Sequence, residues 1–184
     1  MKKILFSLFI TAIFISCNSN KHQKEISTLD SLQKLLNEAE IQLASTDTAK
    51  VRTIKAEMQK NLDYITLNYK DTFSMSMAMM LSEYAFPKKK VYKNFVGNYS
   101  KLLKDIEYTR TQLNSLKQDL ENNKIPDDKV QQYFITEQNA VLTISQTINQ
   151  NVNTIQAYFL KFDTLHPKVL HIVDSINTAQ NMQQ

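Results

Sequence analysis

YKNFVGNYSKLLKDIEYTRTQLNSLKQDL, residues 92–120, decides the fold. Tyr92, Phe95, Tyr99, Leu102, Ile106, Thr109, Leu113, Leu116 and Leu120 recur in it at steps of 3 and 4 without a slip. That spacing places them on one helix face and makes the face a coiled-coil-like seam, about 43 Å long at about 1.5 Å per residue. The run Asn122-Asn123-Lys124-Ile125-Pro126 breaks it, and Asp127 or Asp128 is expected to cap the next helix. There Val130, Phe134, Glu137, Val141, Ile144, Ile148, Val152, Ile155, Phe159 and Phe162 continue the stepping, with one 4-4 stutter before Val152. Two long helices with matched seams and a short loop pack antiparallel.

Upstream, Leu32, Leu36, Ala39 and Leu43 mark a helix from about Glu25 to Ala44, and Val51, Ile54, Met58, Leu62, Ile65 and Tyr69 mark a second. The connection, Ser45 to Thr48, offers capping residues and is so short that an antiparallel hairpin is expected. Asp71 to Phe86 is apolar nearly all round; it either extends the second helix or starts a new one capped by Asp71, and no second strand candidate exists to pair it as a strand. Near Pro167 the last long helix is expected to kink or restart with Thr164 as cap, and Thr178 to Gln184 to fray. One Gly and three Pro are too few for a protein built on tight β-turns. The expected fold is all-α: an elongated antiparallel helical bundle of four to six helices in a single domain, residues 25–184.

The first residues have a different character. Lys2 and Lys3 precede an uncharged run from Ile4 to Ile15, followed by Ser16-Cys17 and polar Asn18-Ser19-Asn20. This is the layout of a secretory signal; its apolar run, about 18 Å as a helix, is too short for a hydrocarbon core of about 30 Å. Phe14-Ile15-Ser16-Cys17 resembles the lipobox of bacterial lipoproteins, with Phe14 where Leu is usual. The resemblance covers only this targeting segment. It implies a signal peptide over residues 1–16, a diacylglycerol and an acyl chain such as palmitate on Cys17, and a polar tether over residues 17–24. Asn18 after the cysteine, by analogy with the enterobacterial sorting rule, implies the outer membrane, facing the periplasm. Cys17 is the only cysteine, so no internal disulfide can form.

Of 22 basic residues Lys2 and Lys3 leave with the signal, so 20 remain against 18 acidic ones. A mature chain this near neutrality gives no footprint for nucleic acid. His22, His166 and His171 are the only histidines; no phosphate loop, HExxH or nucleophile elbow is present, and the Glu-x-x-His pairs of di-iron bundles are missing. No enzyme activity, cofactor or metal is therefore expected. His166 falls on the continued seam and reads as a packed or interfacial residue.

Three surfaces remain as candidates. Met75, Met77, Met79 and Met80 read first as core filler, second as a partner or client groove and third as soft ligands for Cu(I). Lys88, Lys89, Lys90 and Lys93 are the strongest basic concentration and, with Met75 and Met79, form the candidate partner surface; their bland reading is a solvated helix start. Gln138 to Leu160 carries no charge. A central position in the bundle is expected for it, with a glycan-contacting or oligomer-forming face as the alternative. The sequence thus points to a non-enzymatic envelope lipoprotein acting by protein contact, as scaffold or accessory subunit of a complex with an unidentified envelope protein, with oligomerisation through its helix seams open. A holdase-type periplasmic chaperone is the alternative, and Met-rich copper binding a weaker one.

Overall fold

The computed structural model describes residues 21–85 and 95–182. Among these, every regular element is helical: α1 (Gln23–Ala44), α2 (Thr48–Asn68), α3 (Met75–Ala85), α4 (Tyr99–Glu121) and α5 (Asp127–Asn181). The expected all-α elongated bundle is the observed one. The signal segment with Cys17, Tyr92, and the lysines Lys88, Lys89, Lys90 and Lys93 lie outside the described residues.

The decisive seam folds as its spacing requires. Leu102, Ile106, Thr109, Leu113, Leu116 and Leu120 are all buried along α4, and each fully buried leucine contributes about 1.5–3 kcal/mol. The helix begins at Tyr99, later than the periodicity alone suggests. Phe95 is buried ahead of it, in a turn where the Asn98 N–H donates to the Phe95 carbonyl at 3.2 Å. At the other end Asn123 adopts a left-handed φ of 52°, a conformation that asparagine tolerates better than most residues. The N–H groups of Asn123 and Lys124 then donate to the Leu120 and Asp119 carbonyls at 3.1 and 2.9 Å. This paired closure satisfies the helix's last carbonyls and turns the chain back. α5 starts after Pro126; Asp127 and Asp128 lie in its first turn, where carboxylates oppose the positive helix end, and neither acts as the expected side-chain cap.

The 55 residues of α5 span about 82 Å, the full length of the molecule. Along it lie two broken rods. α1 packs on α4 and α5, whereas α2 packs on α5 and α3. Lys21, just before α1, pairs with Asp127 at the start of α5. Farther along, Leu35 and Ala39 border the same groove as Leu142 and Asn149. The Tyr158 hydroxyl then donates to Met58 Sδ at 3.0 Å, Tyr64 bonds Asn177, and Gln180 Nε2 donates to Asn68 at 3.0 Å. Residue numbers rise together in both chains of contacts, so α1 and α2 follow one another along α5, in its direction.

The expected α1–α2 hairpin is thus corrected. The link Ser45-Thr46-Asp47 does not reverse the chain: Asp47 Oδ1 accepts the Lys50 N–H at 2.8 Å and restarts a helix in the same sense. Two apolar faces of about 21 residues each find more cover laid end to end on a 55-residue helix than against each other. The return rod runs the other way: Lys117 Nζ lies 2.6 Å from Asp30, and Arg110 pairs with Glu40.

Residues 47–85 contain two helices, split by Tyr69 to Ser74. Ser74, not Asp71, opens α3, its Oγ accepting the Met77 N–H at 3.3 Å. Pro167 neither ends nor restarts α5, which continues through Thr178 to Asn181, where fraying is expected; the Thr164 hydroxyl donates to the Leu160 carbonyl at 2.8 Å inside the helix instead of capping a new one. The buried stripe of α5 also shifts. After Ile155 it passes through Tyr158, Phe162, Leu165 and Val169, taking Tyr158 in place of the expected Phe159, because the partners change there from α1 and α4 to α2 and α3.

Candidate functional site

At the end of the molecule opposite Lys21 and Asp127, the close of α2, the start of α3 and the close of α5 meet. α3 is held there by few contacts. Leu81 and Tyr84 are its buried residues, and Met77 and Met80 are half-buried against the core. Glu83 pairs with Lys161 at 3.5 Å. The Tyr84 hydroxyl lies 2.8 Å from His166 Nδ1, and the His166 ring stacks on Phe162 at 4.3 Å between centroids. Burial pushes the Tyr84 phenol above its ordinary pKa, against a hydrogen bond from Asn61 that lowers it. His166 is therefore the packed histidine that its seam position suggests.

Met75 and Met79 lie one turn apart on the outward face of α3, 78% and 59% exposed. The methionine cluster is thus divided: Met77 and Met80 fill the core edge as expected, while Met75 and Met79 do not. The four thioethers consequently do not gather at one point. Phe73, also exposed, stacks on Tyr69 at 4.8 Å and extends this apolar surface to the α2–α3 turn, where Leu67 is exposed as well. Beside it opens a groove of about 410 Å³ whose lining includes Met77, Ile172 and Ile176 with Lys70, Asp71 and Gln180. Its volume falls within the roughly 300–1,000 Å³ common for ligand clefts. An apolar floor with a rim of one cation, one carboxylate, two amides, Asn68 and Gln180, and Ser175 suits an apolar side chain presented on a polypeptide.

The lysines joined to Met75 and Met79 in the sequence reading lie outside the described residues, so the structure brings only the methionine half of that surface into view. The histidines do not converge. His22 is buried beside Asp127 at 3.8 Å, His166 faces Tyr84, and His171 is exposed on α5. Among the described residues no group of three or more His, Cys, Asp or Glu side chains stands close enough to hold a metal ion, and no helix is long and apolar enough to cross a membrane.

The charge-free stretch Gln138–Leu160 is not enclosed, contrary to expectation. Val141, Ile148, Val152, Ile155 and Tyr158 face the core, while Gln146, Asn149, Asn153 and Gln156 are exposed. The described residues form three rods side by side, so α5 keeps one face open among them.

Sequence reasoning missed Asn61, which is 8% exposed and close to Tyr84. The signal was present: Val51, Ile54, Met58, Asn61 and Ile65 step 3, 4, 3, 4 and are the buried set of α2, whereas the expected Leu62 is only half-buried. No protein-family model, curated protein or solved structure matches the chain.

Proposed function

We propose that the chain is a non-enzymatic, lipid-tethered protein of the cell envelope that works by protein contact, as a rod carrying a binding surface away from the membrane. The observation that supports this reading is the polarity of the bundle. Lys21, four residues after Cys17, pairs with Asp127 at one end, and the Met75–Met79 surface with its groove lies toward the other, about 70 Å away along α5. A lipid on Cys17 would hold the first end at the bilayer and leave the apolar end free to meet a partner in the periplasm. The outer membrane is the proposed site of anchorage, on Asn18.

The test combines label and capture. Cells fed labelled palmitate should label the native chain and not Cys17→Ser; equal labelling of both would refute the anchor. From detergent-solubilised envelopes the native chain should retain a defined partner that the Met75→Gln/Met79→Gln variant loses. Retention of many unrelated unfolded clients in place of one partner would favour the holdase reading.

A further inference from the structure

The core stripe of α5 is accompanied by a second, outward stripe with the same stepping. Ile135, Leu142 and Leu160 are 44%, 39% and 70% exposed, although each is a large apolar side chain. Between Leu142 and Leu160 the 4-3 steps fall on Gln146, Asn149, Asn153 and Gln156, all exposed, and Asn139 fills the step between Ile135 and Leu142. Asn153 Nδ2 donates to Asn149 Oδ1 at 2.9 Å, which ties two of these amides together one turn apart. The stripe is about 38 Å long and contains no charge. A seam of this spacing is what one helix presents to another, and amides within such a seam fix register and strand number at some cost in stability.

We propose that this stripe is the contact through which two copies of the chain pair, side by side, parallel and in register. In-register pairing sets each side chain against its own counterpart, so apolar meets apolar at Ile135, Leu142 and Leu160, and amide meets amide at Gln146, Asn149, Asn153 and Gln156. An antiparallel pairing centred on the stripe would set Leu142 against Asn153. Self-pairing also explains why the stripe is neutral: a charge would face an identical charge across the axis, a juxtaposition that costs several kcal/mol at an interface.

The area suits a weak, concentration-dependent dimer. A helix face about 10 Å wide and about 38 Å long offers roughly 400 Å² per copy. This lies below the roughly 800 Å² per partner of a standard interface, and the adjoining groove, where Leu35 and Gln42 of α1 meet Leu142 and Asn149, also carries Glu38, so the contact is confined to the neutral stripe.

The experiment measures the mass of the full chain in detergent by sedimentation over a wide range of concentration, for the native protein, for Asn149→Asp, for Asn149→Lys, and for these two mixed. Asn149 is exposed, so both variants should keep the native helical signal and melting temperature. The native chain should reach a dimer, each charged variant should dimerise at least about tenfold more weakly, and the mixture should recover the dimer because opposite charges then face each other. A native chain that stays monomeric throughout, or charged variants that dimerise as the native chain does, would overturn the proposal. Weakened single variants that fail to recover on mixing would overturn the in-register pairing.

Discussion

The Tyr84 hydroxyl, fully buried on α3, meets His166 Nδ1 on α5 at 2.8 Å, one position before the proline inside that helix. This contact joins the short α3, which otherwise buries only Leu81 fully, to the longest helix of the bundle. Removing the hydroxyl in Tyr84→Phe keeps the ring and its packing but leaves a buried polar site unpaired. Stability should fall by about 1–3 kcal/mol, with hydrogen exchange accelerating first in α3. An unchanged unfolding midpoint and unchanged exchange in Met75–Ala85 would show that the bond does not hold the helix.

Burial pushes the Tyr158 phenol up to about 12, with a small contribution from nearby Tyr84. Its value in the unfolded chain is 10.0. The folded state therefore holds this proton more tightly than the unfolded state, and the resulting stability is complete below pH 10 and lost as pH rises to about 12. Tyr158→Phe has no proton to lose there. In paired alkaline unfolding curves the native chain should weaken more steeply across that window than the variant, and parallel curves would contradict the burial of Tyr158.

Leu113 is 1% exposed at the middle of α4. Leu113→Asp buries an unpaired carboxylate where α4 meets α1 and α5, and should cost several kcal/mol or open the bundle at that level. A melting temperature equal to that of the native chain would mean that this helix face is not in the core.

Met75→Gln/Met79→Gln changes two exposed positions and should shift stability by no more than about 0.5 kcal/mol. Leu81→Gln, two residues on and buried, should cost about 1–3 kcal/mol through its unpaired amide. Equal losses in the two variants, read from chemical unfolding, would place Met75 and Met79 in the core after all.

From Leu102 to Leu120 the seam of α4 is legible in sequence, because heptad spacing reports which side of a helix is buried and these residues obey it at every step. The same spacing says nothing about what covers that side. Leu32 to Leu43 and Val51 to Ile65 suit an antiparallel hairpin and a pair of helices laid end to end equally well; only the length of α5 and the capping by Asp47 decide. At Leu62 hydrophobicity masks position and hides Asn61, and the absence of charge in Gln138–Leu160 does not separate burial from an exposed amide face, which is equally uncharged. The outward face of Met75 and Met79 was legible as a spacing, but not as an exposure, until α3 was placed on α2 and α5.

The arrangement of α1 and α2 end to end along α5 sets the Lys21 end about 70 Å from the methionine surface. A spin-label distance between exposed Lys24 and Leu67, with Lys24→Cys and Leu67→Cys introduced in a Cys17→Ser chain, tests it most directly. End-to-end helices predict a separation of about 65 Å at about 1.5 Å per residue. A hairpin would bring the two labels to within about 10–20 Å, the spacing of neighbouring helices plus the label arms, and would contradict the account.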